Sequence, residues 1–234
     1  MKIGLVGGRG SGKSALAQSL KTALESLEDD RFTPIEIIDG YVEKLRDEID
    51  LALGWHGTYI GNAHIALKRE SLERLAAQKA KTVITCGTMY ETSSYTGQYM
   101  QEEYELLTDD DDYARHDLIV RVEAITRFFA SLYVDTIYYD HIFYLPPVTE
   151  ITDPRIKELE KNLQAAFDGF KLYPITKLFV EGDDLLKITE NRLKIVLKEI
   201  LNADNSQGQN IQIKESDGSG VRSGSEDGEE QAPA

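Results

Sequence analysis

The sequence predicts a three-layer α/β sandwich on a mostly parallel sheet. Three observations predict it. Short apolar runs alternate with amphipathic helical stretches along most of the chain; the first run ends in a glycine-rich turn followed at once by a helical pattern; and 234 residues suit one α/β domain plus extras.

Ile3, Leu5 and Val6 form a strand that ends in Gly7-Gly8. Leu16, Leu20, Leu24 and Leu27 then recur at helical spacing, giving a helix from Lys13 to about Leu27. Ile35 to Ile38 is a second strand, closed by Asp39-Gly40, and Val42 to Leu53 carries apolar positions at helical spacing. Gly54 to Gly61, with Trp55, His56 and Tyr59, reads as a loop, and Ala63 to Ala80 as a charged helix rich in Ala and Leu. Thr82 to Thr85 is a third strand ending at Cys86-Gly87, and Tyr90 to Tyr99 is rich in Thr, Ser and Tyr. Leu118 to Tyr133 is amphipathic, and Ile137 to Leu145 is a strand stopped by Pro146-Pro147. Residues 148–174 form a polar segment with a helix around Ile156 to Phe167. Lys177 to Val180 is the last strand and Leu185 to Leu201 the last helix. Residues 1–202 are therefore expected to form one domain. From Ala203 the composition turns to Gly, Ser, Asn, Gln and acids, too polar to offset ordering entropy, so 203–234 is expected to be a disordered acidic tail.

The net charge is −15, of which the seven acids and two bases of 203–234 supply −5, leaving −10 on the rest. A diffuse basic surface for duplex nucleic acid is thereby excluded. No run approaches a bilayer span, and Met1 opens straight into an apolar strand with no basic leader. The lone Cys86 has no internal disulfide partner. These features point to the cytoplasm and to no membrane partner. Glu102, Glu103, Glu105 and Asp109 to Asp112 read as a solvated face, because the ligand alternation and glycine of a calcium loop are absent.

Gly7-Gly8-Arg9-Gly10-Ser11-Gly12-Lys13-Ser14 matches the phosphate-binding P-loop pattern GxxxxGK[ST] at every fixed position. Glycines let successive backbone N–H groups face phosphate oxygens, and the following helix adds its positive end. Gly8, Arg9, Gly10, Ser11, Gly12, Lys13, Ser14 and Ala15 are the expected nucleotide-binding residues. Lys13 is assigned to the β- and γ-phosphates of ATP and the Ser14 hydroxyl to Mg²⁺.

In a parallel sheet the strand C-termini share one edge, here carrying Asp39, Cys86-Gly87 and Pro146-Pro147 beside the P-loop. Asp39 is either a general base and metal ligand or an Asp-Gly turn residue. Asp140, at the start of its strand, falls on the opposite edge and reads as structural. The four histidines show no ligand or triad spacing, and Cys86 reads as a small buried residue rather than a nucleophile.

The P-loop, then Thr85-Cys86-Gly87-Thr88-Met89-Tyr90-Glu91-Thr92-Ser93-Ser94-Tyr95, then Tyr139-Asp140-His141-Ile142-Phe143-Tyr144-Leu145-Pro146, then Val180-Glu181-Gly182 occur in one order. Over roughly residues 1–201 the chain resembles the nucleoside-kinase-like P-loop proteins related to the ribosylnicotinamide kinase domain, near which phage-encoded kinases also belong. The resemblance implies a P-loop NTPase sandwich and, for a phage protein, the host cytoplasm. It implies a lid after Pro147, where Arg155, ahead of Lys157 and Lys161, is either the residue that clamps phosphates or an ordinary helix-surface residue. The family usually has an acid at the end of the third strand; Cys86 stands there and Thr88 at the next acidic place, which puts more weight on Asp39.

The leading expectation is a kinase transferring the γ-phosphate of ATP to a hydroxyl of a nucleoside, nucleotide or nucleic-acid end, with Lys13, Asp39 and Arg155 catalytic and Ser14 and Asp39 on the metal. Trp55, Tyr59, Tyr90, Tyr95 and Tyr99 either line the acceptor pocket or serve packing and surface. The alternative is an ATPase or switch without a small acceptor, favoured by the absent strand-end acid. A GTPase is disfavoured because no Asn-Lys-x-Asp pattern lies on a late strand.

Overall fold

The computed structural model describes residues 1–8, 10–48, 59–107, 112–136, 139–148, 150–169, 175–180 and 184–215. By internal packing the chain divides into two units, Met1–Val196 and Leu197–Ala234. The first holds the sheet and the P-loop. The second contains the C-terminal part of the last helix.

The chain runs β1 (Lys2–Val6), α1 (Lys13–Glu25), β2 (Ile35–Ile38), α2 (Tyr41–Glu48), α3 (Tyr59–Ala77), β3 (Thr82–Cys86), α4 (Met89–Glu105), α5 (Asp112–Thr136), β4 (His141–Tyr144), α6 (Pro154–Gly169), β5 (Ile175–Lys177) and α7 (Leu185–Glu215). The strands form one five-stranded sheet in the order β2-β3-β1-β4-β5. Every pairing is parallel, with Leu5 opposite Cys86 and Phe143, and Ile38 opposite Thr85. The α/β sandwich expected from the alternation is the fold observed.

β1 is central and reads as continuously apolar because it is covered on both faces: Ile3, Leu5 and Val6 are fully buried. α1 seats Leu16, Ala17, Leu20 and Leu24 against the sheet, each leucine contributing on the order of 2 kcal/mol of burial. Ile38, Tyr41, Leu45, Ile65, Ala76 and Val83 make a second cluster joining α2 and α3 to β2 and β3. Asp140 caps the edge away from the P-loop, where its Oδ2 accepts the Lys2 backbone N–H at 2.6 Å, the structural role expected of it.

Several boundaries differ from the sequence expectation. Tyr59 to Gly61, expected in a loop, opens α3, whose helical ladder tolerates Gly61; residues 54–58 of that loop lie outside the described residues. The Thr-, Ser- and Tyr-rich stretch is the helix α4. β4 is shorter than Ile137 to Leu145. β5 begins two residues earlier than expected: Ile175 pairs with Ile142, and only the backbone N–H of Leu178 extends the ladder, to the Tyr144 carbonyl at 2.9 Å. Phe179, which drew the expectation of a strand, is exposed. α7 continues past Leu201 to Glu215, and residues 216–234 lie outside the described residues.

Candidate functional site

The glycines of the P-loop bend the chain as the motif requires. Gly7 has φ 145°, Gly10 φ 78° and Gly12 φ 85°, conformations that side chains disfavour. Gly12 caps α1 in the left-handed region, and Leu16 N–H already bonds its carbonyl at 3.0 Å. A side chain on Gly7 would run into the Leu145 carbonyl.

Lys13 lies back across this loop. Its ammonium donates to the Gly7 carbonyl and to the Gly8 carbonyl at 3.0 Å, with Ser11 Oγ at 3.5 Å. A charged group is thus held against the carbonyls of the P-loop. Arg9 lies outside the described residues, and of Ser14 and Ala15 the structure gives the helical backbone in the first turn of α1.

Arg192 of α7, which sequence reasoning missed, braces the loop. It is buried, and its guanidinium donates to the Ser11 carbonyl at 2.5 Å and to the Pro146 carbonyl at 2.8 Å. The loop is thereby tied to the end of β4. Nothing in the sequence separates Arg192 from a surface arginine.

Asp39 stands at the C-terminal end of β2, on the P-loop edge as expected. It is exposed, and its Oδ1 accepts the Gly40 N–H at 2.9 Å. The turn contact and an open carboxylate therefore coexist. Cys86 at the end of β3 is buried, and burial, with the Asp39 charge next, pushes its thiol up to about 12. It stays protonated, the behaviour of a packing residue. Arg155 falls in the first turn of α6, but its side chain lies outside the described residues, as do those of Trp55, Tyr59 and Tyr90.

Two further acids converge on Lys13, both unforeseen. Glu91, in the first turn of α4, places Oε1 3.9 Å from Lys13 Nζ and accepts the Tyr95 hydroxyl at 3.3 Å. Glu160, from α6, accepts the Tyr144 hydroxyl at 2.6 Å, and its Oε2 packs against Gly8 where a Cβ would lie. Burial raises the Glu160 carboxyl above 4.5, with the Tyr144 hydrogen bond opposing. Tyr95 and the buried Tyr99 also reach this region from α4, where burial and then Glu91 raise the Tyr95 phenol.

Behind the site runs a buried polar chain. Tyr139 donates to Glu73 at 2.7 Å, and Glu73 also pairs with Lys2. Arg69 lies over the Tyr41 ring at 5.3 Å and donates to Thr92 Oγ1 at 3.3 Å. Among the described residues no group of three His, Cys, Asp or Glu converges to hold a metal, and no helix is long and apolar enough to cross a membrane.

No family model and no curated protein matches the chain. Solved structures do. The NadR protein in complex with NR superposes with a TM-score of 0.59 at 16% identity over 84% of this chain, which spans 50% of the NadR chain. Deoxyadenosine kinase from M. mycoides gives 0.53 at 14% identity, covering 86% of this chain and 100% of the kinase. Thymidylate kinase from Ehrlichia chaffeensis gives 0.50 at 18%, covering 86% and 98%. The chain therefore has the P-loop α/β fold of these nucleoside and nucleotide kinases.

Proposed function

We propose that the protein is a kinase that binds ATP at the P-loop and transfers its γ-phosphoryl group to a hydroxyl of a nucleoside or nucleotide. The observation that carries this is Lys13, whose charge is held at the P-loop by the Gly7 and Gly8 carbonyls. Phosphoryl transfer asks little covalent chemistry of a protein. Positioning and charge neutralisation suffice, and a preformed loop supplies both.

The donors present fit Mg²⁺. Ser14 offers a hydroxyl beside the loop and Asp39 an exposed carboxylate at the next strand end but one, and the ion ordinarily uses few protein oxygens together with phosphate. When bound, Mg²⁺ would neutralise charge developing on the phosphates. Lys13 orients the β- and γ-phosphates. Asp39 takes the proton of the acceptor hydroxyl. Arg155, on the lid helix α6, is the candidate to close on the phosphates. The likeness to structures titled as deoxyadenosine kinase and thymidylate kinase supports this reading, and a nucleic-acid end is an acceptor of the same chemistry.

A second reading is an ATPase or switch without a small acceptor, favoured by Cys86 in place of a strand-end acid. ATP consumption measured with and without a panel of nucleosides, nucleotides and oligonucleotides separates the two. An acceptor-dependent rise supports the kinase. Hydrolysis that is flat across the panel overturns it.

A further inference from the structure

We propose that Glu91, in the first turn of α4, is a second carboxylate beside Asp39 that holds hydrated Mg²⁺ at the phosphates, standing in for an acid at the end of β3. The proposal rests on ATP binding at the P-loop as argued above.

β3 delivers Cys86, Gly87 and Thr88 to the site, and none of them can supply an anionic oxygen. Glu91 follows within one helical turn. It is nine-tenths buried, in the first turn of α4, where the positive end of the helix favours negative charge. Its two oxygens are placed differently. Oε1 faces Lys13 Nζ at 3.9 Å and accepts the Tyr95 hydroxyl. Oε2 is buried with no hydrogen-bond partner. A buried carboxylate oxygen without a donor is costly unless something else comes to meet it.

Gly87 explains how that oxygen is given room. With φ 93° the chain turns there in a conformation favouring glycine, and the Thr85 hydroxyl holds the turn by donating to the Gly87 carbonyl at 2.9 Å. A Cβ on Gly87 would lie 3.2 Å from Glu91 Oε2 and 2.6 Å from Arg69 Nη2. The space beside Gly87 is therefore shared by the free carboxylate oxygen and a guanidinium fixed by Thr92 and Tyr41. Glu91 therefore borders the ammonium assigned to the β- and γ-phosphates, where hydrated Mg²⁺ would be held. The absence of a ready cluster of three acids among the described residues agrees with Mg²⁺, which keeps most of its waters and takes phosphate oxygens. The competing reading makes Glu91 only an ion-pair brace for Lys13.

The test is calorimetric ATP binding to the full chain, in Mg²⁺ and in EDTA, for the parent, Glu91→Gln and Lys13→Ala. The parent should bind more tightly with Mg²⁺. Glu91→Gln should lose about tenfold or more of that gain, while its affinity in EDTA holds or rises because a negative charge has left the phosphates' surroundings. A Glu91→Gln protein that keeps the parental gain overturns the proposal. So does an equal loss in both buffers, which is the signature of a brace, and so does a parent indifferent to Mg²⁺. If melting shows that Glu91→Gln does not fold, Glu91→Asp serves: it withdraws the carboxylate by one methylene, and a folded variant with the full gain is equally fatal. The ATP-binding reading fails by a different result, a parent that binds no more tightly than Lys13→Ala in either buffer, and Glu91 then falls with it.

Discussion

Glu160 lies against the P-loop: the Tyr144 hydroxyl donates to its Oε1 at 2.6 Å, and its Oε2 takes the space that a Cβ on Gly8 would need. A carboxylate thus sits against the backbone of the loop meant for phosphate. Its carboxyl is raised above 4.5 chiefly by burial. Between 4.5 and that raised value the folded chain retains a proton the unfolded chain has lost, so stability falls as pH rises through the window. Protonation also removes a negative charge from the phosphates' path. ATP affinity should therefore increase as pH falls through the window, and Glu160→Gln should flatten both trends and bind ATP more tightly at neutral pH. Melting and ATP titration across pH check this; a mutant with the parental pH slopes refutes it.

Replacing Lys13 by Ala removes the charge that faces the β- and γ-phosphates. Turnover should drop by about 10²-fold or more while the protein still folds, because the Lys13 ammonium bonds to the P-loop and not to the core of the sheet. A purified variant with parental turnover would remove the P-loop from the mechanism.

Asp39→Asn keeps the shape of the turn at Gly40 and abolishes basicity. ATP should bind with similar affinity while acceptor phosphorylation falls by roughly 10²–10⁴-fold. Steady-state transfer to the best acceptor found in the panel is the measurement. Transfer at the parental rate would leave Asp39 a turn residue.

Arg192→Ala strips the Ser11 and Pro146 carbonyls of a buried donor. A loss of about 1–3 kcal/mol in stability is expected, with a raised KM for ATP because the loop is less fixed. Stability lost with KM unchanged would mean that Arg192 braces β4 and not the loop.

Truncation after Asn202 should leave the melting temperature and turnover unaltered, since 203–234 is expected to be a dispensable acidic tail. Differential scanning calorimetry and the kinase assay on the shortened chain decide it. Because α7 reaches Glu215, a lower melting temperature would assign the residues after Asn202 to the folded body.

The strand edge was legible because parallel strands buried on both faces read as apolar runs, and a glycine-rich turn between such a run and a helix has few other uses. α4 was less so. Thr, Ser, Tyr and Gly have middling or poor helix propensity, and tertiary packing overrides it. The signal was there in another form: Met89, Thr92, Thr96, Tyr99 and Met100 keep helical spacing, and all are buried, but threonines do not register as an apolar stripe. Missing that helix hid Glu91, which only a helical turn swings back to Lys13. Glu160 and Arg192 were illegible for a different reason. Each sits on an amphipathic helix among other charged residues, and only the three-dimensional approach of α6 and α7 to the loop distinguishes them.

The bond from Arg192 to the Ser11 carbonyl joins residues 181 positions apart. A ribosome makes the P-loop well before this guanidinium. During synthesis, the loop has its glycines and its lysine long before it has its last anchor. A chain cut short anywhere before α7 would carry the whole phosphate-binding motif and still leave the Ser11 and Pro146 carbonyls without the donor that locks them. The nucleotide site thus receives its anchor only with α7, and fragments that carry the motif without Arg192 would hold nucleotide less firmly.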